Sequence, residues 1–189
     1  MIQYKSILSL FCIGVKMQLL NYTSSRINIM KNNRTNLFSH QTIGKLSLKN
    51  RLAVAPMTRV SAHEDGTAGP LMKDYYQSFA QGGFGLIITE GLYPDKHYGQ
   101  GYKFQPGLTD EAQAESWKPI IEAVHESGSL IIAQLMHAGA LSQYNKYTGS
   151  TAGPSAVKPL GQEMTFYYGK GDYSIPKAMN IEDIKDVIS

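Results

Sequence analysis

Apolar and polar positions fall into short, regularly punctuated runs from residue 42 onward. Thr42-Ile43 and Leu46-Ser47-Leu48 flank Gly44-Lys45, the pattern of a short hairpin that turns at the glycine. Leu52-Ala-Val-Ala55 predicts a buried strand, ended by Pro56. Pro70, directly after Gly69, is placed to open a helix that Gly82-Gly83 would close. Within it Leu71, Tyr75 and Phe79, with Met72, Tyr76 and Ala80, make an apolar face opposite Lys73, Asp74 and Gln77. Gly85-Leu-Ile-Ile88 is a continuous apolar run, as expected of a strand covered on both faces.

The same alternation continues downstream. Thr109-Asp-Glu111 puts acidic residues at the positive end of a second helix, with Trp117, Ile120, Ile121 and Val124 as its buried face. Pro119 predicts a kink or restart there, and Gly128 the helix end. Leu130–Leu135 reads as a third buried strand. About 45 residues without clear periodicity follow, a length that in a compact domain is usually functional or mobile. Asn180 then caps a last helix, with Asp183 at its third position and Ile181, Ile184, Val187 and Ile188 on one face. The order is a hairpin, then β-α-β-α-β, a long loop and a helix, which predicts an α/β fold with parallel strands. Three parallel strands cannot close on themselves. The pattern therefore leaves either an open α/β sheet or part of a (β/α)8 barrel.

Composition narrows the class. A chain of 189 residues, 42% hydrophobic and 17% charged, has the make-up of one soluble globular domain. A net charge of +3 is too small to point to a nucleic-acid partner. The single cysteine, Cys12, excludes an internal disulfide framework and any Cys-rich metal site. Ile7 to Val15, an apolar run near the N-terminus, falls far short of the roughly 20 residues of a membrane span. A soluble, cytoplasmic protein without membrane partners is expected.

Charge is unevenly spread. No Asp or Glu precedes Glu64, whereas nine Lys/Arg lie between Lys5 and Arg59; the remainder holds nine basic and fifteen acidic residues. Residues 1–35 read as an N-terminal extension, disordered or mis-started, with Met30 as the natural start; a targeting segment is the alternative. Two sequons, at Asn21 and Asn33, carry meaning only for a secreted chain. Residues 36–189 make up the globular part.

In parallel α/β folds, ligands collect at the carboxyl ends of the strands. Three segments lie there: Pro56-Met57-Thr58-Arg59, Thr89-Glu90-Gly91, and Gln134 to Gly139. Pro56 fixes the backbone beside the Thr58 hydroxyl, Gly91 permits close approach of a flat ring, and the Gln134 amide suits the edge of a uracil-like ring. Singly, each has a plainer reading as a turn, a cap or a satisfied amide. His40, His63, His97, His125 and His137 are too scattered for a metal cluster, and no metal is expected. His137, beside Gln134, reads as a packing or supporting residue. Tyr144, Tyr147, Tyr167, Tyr168 and Tyr173 crowd the long loop, as either a substrate entrance or surface aromatics.

Three motifs in order, Asn50-Arg-Leu-Ala-Val-Ala-Pro-Met-Thr-Arg59, Gly85-Leu-Ile-Ile-Thr-Glu-Gly91 and Ala133-Gln-Leu-Met-His-Ala-Gly139, closely resemble the old yellow enzyme family of NAD(P)H:flavin oxidoreductases. Gly153-Pro-Ser-Ala156 and Ile175-Pro-Lys-Ala-Met179 fit the same pattern. The resemblance covers residues 36–189. It implies the front half of an FMN-binding (β/α)8 TIM barrel, with its first three βα units preceded by a hairpin that plugs the barrel bottom. It implies that Pro56 and Met57 contact the flavin through their backbone and that Thr58 hydrogen-bonds near O4 and N5. Gly91 would lie beside the pyrimidine ring, and Gln134 would read its N3/O2 edge. Thr58, in place of Cys, and Val60 match the classical branch of the family. Ala140 departs from it, since many relatives carry Arg there. The implied activity is hydride transfer from NAD(P)H through FMN to an activated, enone-like alkene, with a small molecule as substrate. The family's His-x-x-Asn or His-x-x-His pair, its proton-donating Tyr and its phosphate loops are expected beyond residue 189, so no catalytic residue is assigned within the chain. A catalytically inactive fragment is the alternative. A dihydroorotate dehydrogenase-like flavin barrel ranks below both, because its loop nucleophile is not evident.

Overall fold

A computed structural model describes residues 34–188. The N-terminal extension, with Met30, Cys12 and both sequons, lies outside the described residues, except that Arg34 and Thr35 belong to a single turn of helix, α1 (Arg34–Leu37). The hairpin follows as β1 (Gln41–Ile43) and β2 (Leu46–Leu48), antiparallel with Ile43 opposite Leu46. The parallel sheet is built from β3 (Ala53–Val54), β4 (Leu86–Leu92) and β5 (Leu130–Leu135), in that spatial order. Two helices connect them, α2 (Pro70–Gln81) and α3 (Glu111–Glu126).

The core lies where these helices meet the sheet. Val54, Ile87 and Leu92 of the strands pack with Met72, Tyr76 and Ala80 of α2 and with Trp117, Ile120 and Val124 of α3. Burying such side chains contributes roughly 1.5–3 kcal/mol each, so this single cluster dominates stability. Asn50 ties the hairpin to the sheet: its amide donates to the Gly83 carbonyl at 2.7 Å, and its Oδ1 accepts from Leu52 N at 3.0 Å.

Several expectations need correcting. β3 is shorter than the predicted Leu52–Ala55 strand, and β4 runs four residues past Ile88. The buried stripe of α2 is Met72, Tyr76 and Ala80; Tyr75 and Phe79 are half-buried, and Leu71 is 73% exposed because it sits one step round the helix, away from the sheet. Pro119 does not restart α3, which runs unbroken for 16 residues. Proline removes one i→i−4 bond, but on an exposed side where water can serve, while Trp117, Ile120 and Val124 anchor the register. Ile121 points away from that anchor and is exposed. β5 is only half-buried, since its second edge carries no strand among the described residues.

Local signals place the helix ends well. Asp110 caps α3, its Oδ1 accepting from Gln113 N at 2.8 Å. At the other end Ser129 N reaches Val124 O and Gly128 N reaches His125 O, with Gly128 at φ +71°. That is the Schellman arrangement, which satisfies the last carbonyls. The 136–180 stretch holds a small parallel ladder, β6 (Ala152–Gly153) with β7 (Lys177–Ala178). The last helix, α4 (Ile181–Ile188), opens with a reciprocal cap: Asp183 N donates to Asn180 Oδ1, and Asn180 N to Asp183 Oδ2, both at 2.9 Å. On its apolar face Ile181, Ile184 and Ile188 are exposed.

Candidate flavin site at the strand ends

β3 ends at Val54, so the Pro56–Arg59 segment lies past the sheet ladder and must be held by other means. Pro56 and Thr58 are half-buried and Met57 is exposed. Arg59 N donates to Glu90 Oε2 at 3.1 Å, and the Arg59 guanidinium sits 4.5 Å over the Tyr75 ring. Val60 has φ +55°, a left-handed conformation that a β-branched residue rarely adopts. Beyond it Ala62 N donates to Phe104 O at 3.2 Å.

The end of β4 carries a bulge. Ile88 pairs with Ile132, but the next partners are Gly91 and Gln134, so β4 holds one extra residue. The Thr89 hydroxyl bridges the gap, donating to Glu90 O at 2.8 Å and accepting from Gln134 N at 3.0 Å. Two consecutive polar residues, Thr89 and Glu90, are thereby both buried. Tyr76 OH donates to Glu90 Oε1 at 3.1 Å and accepts from Glu90 N at 2.9 Å. Burial pushes the Glu90 carboxyl above the usual range; the Arg59 N–H, the Tyr76 hydroxyl and the Arg59 charge pull it partly back. Burial likewise pushes the Tyr76 phenol far up.

Gly91 lies opposite Gln134 in register. Its carbonyl accepts from Gln105 Nε2 at 2.9 Å, and the fully buried Gln105 also accepts from Gly101 N at 2.7 Å. A Cβ on Gly91 would lie 2.8 Å from Met136 Cβ and Sδ, so Met136 fills the space expected to be open to a ring. Gln134 is half-buried, and its side-chain amide makes no hydrogen bond among the described residues. The buried Tyr102 stacks on Tyr167 with ring centres 4.9 Å apart. The Thr58 side chain lies against the Tyr102 phenol without closing a well-formed hydrogen bond, and burial raises that phenol.

His137 takes a supporting place. Its Nδ1 accepts from Gly139 N at 3.1 Å, which leaves the ring proton on Nε2, 3.4 Å from Asp95 Oδ2. Burial lowers its pKa, with the Asp95 charge opposing. Of the loop tyrosines, Tyr147 hydrogen-bonds Tyr93 OH at 3.1 Å, and Tyr168 packs edge-on to Phe104. The loops after β4 and β5 are stitched together: Ala138 N to Gly99 O, Gln143 N to Gly101 O, Lys146 N to Gln100 Oε1, and Ser142 Oγ to Gln100 O.

A cleft of about 460 Å³ opens between residues 95–98 and α4, and none of Pro56, Met57, Thr58, Gly91 or Gln134 lines it. Its charges are mixed and partly neutralised, as in the Lys177–Asp183 pair at 2.9 Å. Among the described residues no group of three or more His, Cys, Asp or Glu is arranged to hold a metal ion, and no helix is long and apolar enough to cross a membrane.

The sequence singled out Thr58, Gly91 and Gln134, and the structure brings their segments together at one end of the sheet. Sequence reasoning placed Glu90 in a strand-end segment and Tyr76 on a helix face without linking them, and did not mark Gln105; their hydrogen bonds depend on the bulge and on a return loop. The pairing of a buried-strand run with an acidic residue inside it was the available signal.

The chain is similar to known proteins in sequence and in fold. The model of the NADH:flavin oxidoreductase / NADH oxidase family matches residues 36–189. A NADH oxidase of Thermoanaerobacter brockii is 33% identical over 153 residues, covering 81% of this chain and 22% of that protein. The 12-oxophytodienoate reductase 7 of Oryza sativa is 32% identical over 158 residues, 80% of this chain and 39% of that one. Among solved structures, the old yellow enzyme homologue of Zymomonas mobilis superposes with a TM-score of 0.72 at 35% identity, over 80% of this chain and 42% of its own. Morphinone reductase in complex with tetrahydroNAD gives a TM-score of 0.70 at 33% identity, over 80% and 43%. The chain thus spans less than half the length of these relatives. With the family model covering nearly all of the described fold, the chain belongs to the NADH:flavin oxidoreductase / NADH oxidase family.

Proposed function

We propose that residues 36–189 form the flavin-reading front part of an FMN-dependent NAD(P)H oxidoreductase of the old yellow enzyme type, with the 41–48 hairpin beneath the barrel and three βα units above it. The observation that carries this reading is the free Gln134 amide, directly opposite Gly91 in register, at the same sheet end as the Thr58 segment. A half-buried amide with two donors and an acceptor to spare fits the edge of a flavin pyrimidine. Met136 is unbranched and adaptable, so it can yield the space beside Gly91.

When bound, FMN supplies hydride chemistry, accepting from NAD(P)H and delivering to the β-carbon of an activated alkene. The chain's part is binding and orientation. Thr58 would hydrogen-bond near O4 and N5, and Gln134 would hold the N3/O2 edge. Pro56 and Met57 would offer main-chain contacts, and Gly91 would border the ring. Buried Gln105 keeps the Gly91 carbonyl fixed, so the site edge is set before any ligand arrives.

Titration of FMN fluorescence with the 189-residue chain tests the reading. Weak quenching is expected, because the phosphate-binding loops are expected beyond residue 189, and it should weaken roughly fivefold further in Thr58→Ala and in Gln134→Ala, the size of one neutral hydrogen bond. No quenching, or equal affinity in parent and variants, would refute it.

A further inference from the structure

We propose that Glu90 is a positioning residue: its buried carboxylate, braced by Tyr76, holds the Thr58 hydroxyl in place through the main-chain N–H of Arg59. The inference rests on the flavin-site reading of Thr58. Glu90 is 1% exposed, and each of its carboxylate oxygens has a partner, Arg59 N on one side and Tyr76 OH on the other. Tyr76 OH also accepts from Glu90 N, so the carboxylate is fixed at both ends of its own residue.

The Thr58–Arg59 peptide is planar, so holding the Arg59 N–H fixes the plane that ends at the Thr58 carbon. No sheet ladder does this work, because β3 stops four residues earlier. The same helix adds a second hold, Tyr75 beneath the Arg59 guanidinium. A hold is needed because Val60 stands at φ +55°, one residue past the clamp. Such a conformation persists only where the surroundings over-determine it. Ala62 N on Phe104 O secures the far side, and Glu90 secures the near one. Releasing Glu90 frees the segment to relax, and Thr58 moves with it.

The test uses the 189-residue chain with Glu90→Leu and Glu90→Gln, read by amide hydrogen exchange without flavin and by FMN fluorescence titration. In Glu90→Leu, exchange over residues 56–62 should rise roughly tenfold or more while α3 stays protected, and FMN affinity should fall by up to the roughly fivefold of Thr58→Ala. Glu90→Gln, which keeps a carbonyl oxygen for Arg59 N, should restore most of both. Exchange that rises equally in α3, or does not rise over 56–62, overturns the proposal; so does local loosening with unchanged FMN affinity. If the parent chain never quenches flavin, the flavin reading fails while the exchange result still decides the clamp. Should Glu90→Leu not fold, Tyr76→Phe removes only the brace and should raise exchange over 56–62 a few-fold; unchanged exchange there would equally overturn it.

Discussion

At the scale of single residues, Glu90 makes the chain's stability depend on pH in a defined direction. Burial raises its carboxyl above 4.5, so the folded chain holds the proton more tightly than the unfolded chain. The stability this group contributes is complete below about pH 4.5 and is lost as the pH rises through the folded value. Glu90→Gln cannot titrate. Urea unfolding of both proteins should therefore show the difference in stability shifting toward the variant between pH 4.5 and neutrality, whereas a constant difference would contradict the raised carboxyl. His137 works in the opposite sense: burial lowers its pKa, so its contribution falls away as the pH drops below the ordinary histidine value. The strand ends that carry Thr58, Gly91 and Gln134 were legible from the apolar runs before them, while the roles given to those residues came from the family resemblance. The burial of Glu90 was not legible, since alternation along β4 would have turned either Thr89 or Glu90 outward; the bulge that buries both is a pairing feature, invisible to a single strand's pattern.

Helix ends and faces were the most readable elements, because capping and periodicity act within a few residues. Gly128 ends α3 as its position implied, and the reason can be isolated. A Cβ there would meet only Lys49 Nζ, 3.9 Å away, so any penalty comes from backbone at φ +71° rather than from a clash. Gly128→Ala should lower stability by about 1–2 kcal/mol, read as an earlier urea midpoint with an unchanged slope. Pro119 does not interrupt α3 for a complementary reason: its local penalty is overruled by Trp117, Ile120 and Val124, which are anchored in a core that the helix sequence alone does not display. Where the structure departs from the expected faces, at Leu71 and Ile121, the offset is one position around the helix, the precision that periodicity alone can deliver.

For the molecule as a whole, the described residues leave apolar surface uncovered in several places, two of which stand out. One is α4, with Ile181 70% exposed; the other is the 157–168 stretch, where Leu160 is 97% exposed and Phe166 lies open. Contiguous exposed apolar surface favours association. The isolated chain should therefore self-associate as its concentration rises, and Ile181→Lys with Ile188→Lys should shift sedimentation toward the monomer. A monomeric parent at high concentration would contradict this. Parallel strand order and the alternation of strands and helices were legible at this scale. The covering of β5 and α4 was not, because it depends on which elements meet in space.

The stitching of the loops after β4 and β5 has a consequence for access. Four hydrogen bonds tie residues 99–101 to residues 138–146, with Gln100 supplying two of the acceptors. Neither loop can lift without breaking bonds to the other, so the rim behaves as one plate rather than two flaps. Displacing either loop therefore costs hydrogen bonds to the other, and the two share one mechanical fate.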